Sequence, residues 1–143
     1  LGVVEKRLAE VRFFGSEDWF QEIRGLLRQL MSGMGCEGPF VDETVLAVQE
    51  AMANVVRHAY HGNETGEIII AVRQCGDELV IRLTDFAPAI DPGQINRRDP
   101  EVVYPGGLGV YMMDRIMDRV EFLRPGAGEG NILEMSRRLD ANQ

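Results

Sequence analysis

Cysteine is nearly absent: the 143 residues contain two, Cys36 and Cys75. Neither belongs to a C-x-x-C motif or lies near a histidine pair, so the usual redox and metal-binding spacings are missing. Two reduced thiols in a cytoplasmic protein are the reading that fits. Long hydrophobic runs are missing as well, since none approaches the ~18 residues that a bilayer span requires. The opening LGVVEKRLAE is charged within five residues and does not read as a signal peptide. It begins at Leu1 rather than Met, which fits a piece of a longer protein. Positive charge is also short: 15 Lys and Arg stand against 23 Asp and Glu, a formal net charge of −8. That excludes a general binder of DNA or RNA backbone, which needs a basic surface. It leaves nucleotide binding open, because glycine-rich loops, helix N-termini and a bound cation hold phosphate locally. No internal repeat or low-complexity tract is present.

What is there suits one folded domain spanning 1–143. Hydrophobic residues make up 45% and charged residues 27%, a soluble globular mix with enough chain to bury a core. Val3-Val4 and Glu10 to Phe14 predict one or two short strands. Ser16 is a reasonable N-cap for a helix whose stripe is Trp19, Ile23, Leu26 and Leu30, widened by Phe20, Leu27 and Met31. Residues 32–40, with three glycines and a proline, predict a loop. Asp42 caps the next helix, 42–60, which stops near His61-Gly62-Asn63. Residues 66–72 and 78–83 predict a β-hairpin turning through 74–77. Residues 86–105 carry four prolines and predict a long functional loop, a lid over a site. A glycine cluster, Gly106-Gly107-Leu108-Gly109, leads into a helix over 110–119 with Tyr111, Met112, Ile116 and Met117 as its apolar face. Strands at 120–123 and 132–139 close the chain around a turn at 125–130. Consecutive strands joined by short turns imply mostly antiparallel pairing. The expected fold is a two-layer α/β (α+β) sandwich, a mostly antiparallel mixed sheet with about three helices on one face.

The helix at 42–60 has two faces. Val45, Val48, Met52, Val55 and Ala59 recur at helical spacing and form an apolar stripe. Glu50 and Asn54 lie one turn apart on another face and can point at one ligand, with Arg57 or His58 a further turn on. A carboxylate accepts a proton and a carboxamide oxygen binds a hard cation, a pair suited to phosphoryl transfer with magnesium. Alone, Glu-x-x-x-Asn describes many solvated helix faces. The glycine cluster before a helix offers close backbone approach and free amides for phosphate oxygens. It is not a P-loop, because no Gly-Lys-Ser/Thr follows. Asp85 at a strand end can accept from an exocyclic amine.

Together these stretches carry a resemblance. Glu50-Ala51-Met52-Ala53-Asn54 with Arg57-His58-Ala59-Tyr60 resembles the N box of the GHKL ATPase and kinase superfamily. Thr84-Asp85-Phe86-Ala87-Pro88 with Ile90-Asp91-Pro92 resembles its adenine box, and Gly106 to Met113 resembles the glycine-rich box that closes the lid. The order and spacing cover about residues 10–139, and local details resemble the anti-sigma factor serine/threonine kinases. The resemblance implies a Bergerat-type fold and the cofactors ATP and Mg2+. It implies Asn54 as magnesium ligand, Glu50 as general base toward an attacking serine, and Asp85 as the acceptor that selects adenine. Gly106, Gly107, Leu108 and Gly109 would hold phosphates, and Arg97 or Arg98 in the lid would meet the γ-phosphate. It further implies an anti-sigma factor antagonist (STAS-type) protein as phosphoacceptor, a sigma factor as second partner, and a homodimer. Two positions depart from the pattern: Ala87 replaces a glycine next to adenine, and Asn131 stands where the family often has threonine. A sensor histidine kinase is the rival within the fold, but the sequence holds only His58 and His61 and no helical hairpin upstream. The rival of another class is a regulatory module that controls a partner by binding, with ATP structural or absent.

Overall fold

The computed structural model describes residues 4–14, 17–56, 66–86, 107–123 and 130–139. Five strands form one antiparallel sheet in the order β1-β2-β3-β5-β4. They are β1 (Glu5–Phe14), β2 (Glu67–Cys75), β3 (Glu78–Asp85), β4 (Arg119–Leu123) and β5 (Asn131–Arg138). Three helices accompany them: α1 (Phe20–Gly33), α2 (Pro39–Asn54) and α3 (Gly107–Ile116). The expected antiparallel α+β sandwich is therefore the observed fold, with every strand pair antiparallel.

Alternation decides which sheet face meets the helices. Ile68, Ile70 and Val72 of β2, Leu79, Ile81 and Leu83 of β3, and Leu133 and Met135 of β5 are all buried. The register sets Ile70 against Leu83 and Ile81 against Met135, so these side chains form one apolar layer. Ile23, Leu27 and Met31 of α1, Val48 and Met52 of α2, and Met113 and Met117 close over it.

Several boundaries differ from expectation. The first strand is single, and Leu8 is an extra residue in its register, since Arg7 pairs with Arg73 and Ala9 with Val72. That bulge explains why period-two reading breaks up 3–14. α1 begins at Phe20 after a 3-10 turn over Glu17–Trp19, so Trp19 is its N-cap, and the expected cap Ser16 lies outside the described residues. Its buried stripe is Phe20, Ile23, Leu27 and Met31, while Trp19 stays 47% exposed. α2 starts three residues before Asp42, at Pro39, whose fixed φ suits the first helical position. α3 takes in the glycines at 107 and 109 and stops at Ile116, because Arg119 already belongs to β4. Among its residues with described side chains Met113 is the most buried, at 0% exposure, and the expected face omitted it. Cys36 and Cys75 are both free, and burial pushes the Cys36 thiol pKa up. No helix among the described residues is long and apolar enough to cross a membrane.

Candidate functional site

α2 carries the first half of the site and is held on nearly all sides. Besides the expected stripe of Val45, Val48, Met52 and Val55, a second stripe of Phe40, Thr44, Ala47 and Ala51 is buried. The alanines let neighbouring elements approach closely, and α2 packs against both α1 and α3. Its N-terminal end is tied to β5 through Arg137. That guanidinium donates to the Phe40 carbonyl at 3.1 Å and to Thr44 Oγ1 at 3.0 Å, and stacks 4.4 Å from the Phe40 ring centroid.

Two polar side chains remain on the face the sequence singles out. Glu50 is half-buried and makes no hydrogen bond or ion pair with any described residue. Asn54, one turn later, has both amide atoms buried, and neither meets a hydrogen-bond partner among the described residues. Burying a carboxamide without partners costs about 1–3 kcal/mol, so an unpaired one in a well-packed helix points to a ligand. Beyond Asn54 the backbone widens into π geometry at Val55 and Val56, an irregularity that often marks functional positions.

The second half lies at the end of the central strands. Asp85, the last residue of β3, is 4% exposed. Its Cα partner across the sheet is Asn131, the first residue of β5, and Asn131 Nδ2 donates to Asp85 Oδ1 at 2.9 Å. The two residues linked separately to adenine are thus one hydrogen-bonded unit. Gly130 makes their approach possible. Its φ is +83°, and a Cβ there would lie 2.4 Å from the Asp85 carbonyl oxygen and 3.0 Å from the Phe86 ring. In the sequence Gly130 stands only as part of a turn, and its position directly before Asn131 is the signal that points to this role.

Gly107, Leu108 and Gly109 form the first turn of α3 rather than a loop ahead of it. The N–H groups of a first helical turn have no intrahelical acceptor, which suits anionic oxygens. Ala87, Arg97, Arg98, Gly106, Arg57 and His58 lie outside the described residues.

A profile of the histidine kinase-like ATPase domain matches residues 17–137. The chain belongs to the histidine kinase-like ATPase family. Its relatives include proteins named serine-protein kinase RsbW. The one from Listeria innocua is 30% identical over 113 residues, covering 70% of this chain and 71% of the relative. That from Oceanobacillus iheyensis is 31% identical over 112 residues, covering 70% and 71%. That from Bacillus licheniformis is 32% identical over 111 residues, covering 69% of each. Among solved structures, the RsbU and RsbW domains of Rv1364c from Mycobacterium tuberculosis match with TM-score 0.64 at 16% identity. This chain is covered to 92% there but spans only 33% of that longer chain. The catalytic domain of histidine kinase ThkA matches with TM-score 0.57 at 11% identity, covering 92% and 97%. At such identities the structures speak for the fold alone.

Within this ATPase family the residues present fit a magnesium nucleotide. The unpaired Asn54 amide offers a hard oxygen to a cation, Asp85 offers an acceptor, and the first turn of α3 offers amides.

Proposed function

We propose that the chain is an ATP-dependent serine/threonine protein kinase that acts as an anti-sigma factor. It phosphorylates a STAS-type antagonist on serine, and it holds a sigma factor as its second partner, acting as a homodimer. The observation that carries the reading is the buried, unpartnered Asn54 amide one turn from half-buried Glu50. Relatives at 30–32% identity that are named serine-protein kinases support it.

Each group then has one task. Asn54 Oδ1 would hold Mg2+, which when bound would supply positive charge against the phosphates. Asp85, kept in orientation by Asn131, accepts from the adenine amino group. Amides of Gly107, Leu108 and Gly109, with Gly106 ahead of them, hold phosphate oxygens. The resemblance adds Ala87 at adenine and Arg97 or Arg98 at the γ-phosphate, all three outside the described residues. The substrate serine Oγ attacks the γ-phosphorus, the bond to the β–γ bridging oxygen breaks, and ADP leaves. The hydroxyl proton passes to the Glu50 carboxylate.

Transfer of labelled γ-phosphate to serine of an antagonist protein tests this directly. Glu50→Ala is expected to lower transfer about 10²–10⁴-fold while ATP affinity holds, as for loss of a general base. Normal ATP binding by the wild type without transfer to any antagonist would favour the regulatory module instead. Equal loss of binding and transfer in Glu50→Ala would remove the base from Glu50.

A further inference from the structure

β5 breaks its own pattern at Arg137. Leu133 and Met135 are buried against the helices, and alternation sets Arg137 on the same inner face, opposite buried Leu79. An apolar side chain would fill that position without the cost of taking a charge out of water. The arginine side chain is instead only 18% exposed and directs its donors at α2.

What it meets there is one turn of helix held as a unit. Nη1 reaches both the Phe40 carbonyl and Thr44 Oγ1, and Thr44 Oγ1 itself donates to that carbonyl at 2.7 Å. Nη2 reaches a Glu43 carboxylate oxygen at 3.0 Å. Further along, α2 meets the core through Val45, Ala47, Val48, Ala51 and Met52. Apolar burial is non-directional, so it tolerates a helix that slides or turns slightly. Hydrogen bonds to a planar guanidinium fork do not.

The same strand also reaches the other half of the site. Asn131 opens β5 on the inner face and donates to Asp85. From Asn131 to Arg137 the strand covers about 20 Å, at about 3.3 Å per residue. From Phe40 to Asn54 the helix covers about 21 Å, at about 1.5 Å per residue. With Arg137 as common anchor, the strand ends at the pair of Asp85 and Asn131 and the helix ends at Asn54. We propose that Arg137 is a positioning residue, which sets α2 along and about its axis relative to β5. It thereby holds the Asn54 amide and the Glu50 carboxylate at the depth that a nucleotide bound at Asp85 requires. The inference rests on the Mg-ATP roles proposed for Asn54 and Asp85, and not on phosphate transfer or the identity of the acceptor.

ATP titrations of the whole chain, in Mg2+ and in EDTA, read this placement. The wild type is expected to bind ATP more tightly with Mg2+. Arg137→Met keeps an unbranched stem and removes the donors. It is expected to lose about tenfold in affinity with Mg2+ and no more than about threefold in EDTA. Arg137→Lys retains a charge and donors without the fork and is expected to lie between Arg137→Met and wild type. Thr44→Val removes the hydroxyl from the helix side and keeps the shape, and its loss is expected in Mg2+ as well. Added to Arg137→Met it should change little more, since both break one contact. Glu134→Gln, on the other face of the sheet, controls for lost stability and is expected to keep the full Mg2+ gain. Where Arg137→Met does not fold, Arg137→Lys and Thr44→Val carry the comparison. Equal losses in Mg2+ and EDTA would reduce Arg137 to a structural anchor, and an unchanged Mg2+ gain would show α2 placed without it; either overturns the proposal. A wild type indifferent to Mg2+ removes the metal from Asn54 and this role with it. Normal Mg-ATP binding without transfer to any antagonist counts against the kinase reading alone, and the titrations still decide the role of Arg137.

Discussion

Asn54 and Gly130 each carry a local cost that packing alone does not explain. Asn54 keeps a buried amide with no described partner, which destabilises the free protein and, on the proposed function, prepares an oxygen for a cation. Asn54→Ala is therefore expected to raise the melting temperature of the nucleotide-free protein, by the equivalent of about 1 kcal/mol. The same change is expected to abolish magnesium-dependent ATP binding. Calorimetric melting with and without Mg-ATP checks both halves; a destabilised apo form would mean that the amide is structurally paired. Gly130 meets a different constraint, a left-handed φ of +83° together with 2.4 Å between a would-be Cβ and the Asp85 carbonyl. Gly130→Ala is expected to cost about 1–2 kcal/mol from φ alone, with more from the clash. Because β5 would shift away from β3 at Asp85, ATP affinity is expected to fall further than stability. Denaturant midpoints set beside ATP titration separate the two.

At the level of elements, α3 sets helix stability against the phosphate role proposed for its first turn. Its first turn contains Gly107 and Gly109, and each glycine costs about 0.8–1 kcal/mol against alanine inside a helix. Gly109→Ala is expected to stabilise the protein by up to about 1 kcal/mol and to weaken nucleotide binding, through loss of close backbone approach. Equal or tighter ATP binding in that variant would remove the phosphate role from this turn. The glycine cluster, the α2 stripe and the β2–β3 hairpin were readable because their signals are local: spacing, punctuation, alternation. Glu50 and Asn54 were readable for the same reason, since one helical turn brings them together. The second buried stripe of α2 was not, because Ala47 and Ala51 look neutral until the fold buries them. Nor was the contact between Asp85 and Asn131, which are 46 residues apart in sequence and meet only through strand register. The 3-10 turn before α1 shifted its stripe by one residue, from Trp19 to Phe20, and no composition signal marks such a turn.

Across the whole sheet, the face away from the helices is organised by Glu134, which is only 5% exposed. Arg82 donates to its Oε2 through Nε at 2.9 Å and Nη2 at 2.6 Å. Arg73 Nη2 reaches the same oxygen at 3.3 Å, and Arg119 Nη2 reaches Oε1 at 3.1 Å. One carboxylate thereby links β2, β3, β4 and β5, and Val80, which pairs with Arg73 and Ser136, is buried on a face where alternation predicts exposure. Burial by itself would raise the Glu134 pKa; the Arg82 hydrogen bonds, then the charges of Arg82, Arg73 and Arg119, carry it below the ordinary range. The folded protein consequently binds this proton less readily than the unfolded chain. Its stabilisation is complete above the unfolded value of about 4.3 and is lost as pH falls through the lower folded value. Glu134→Gln keeps the shape but takes the shared anion from three guanidinium groups, of which Arg73 keeps Glu5 at 3.7 Å and Arg119 keeps Glu121 at 3.3 Å. Breaking a buried pair costs about 3–5 kcal/mol, and the partial exposure of the arginines reduces this to about 2 kcal/mol. Urea midpoints followed from about pH 6 to about pH 3 are expected to show the variant less stable at the upper end. Its loss of stability with acid should be shallower, so that the two curves converge. Parallel curves would place the acid sensitivity of the fold in other carboxylates.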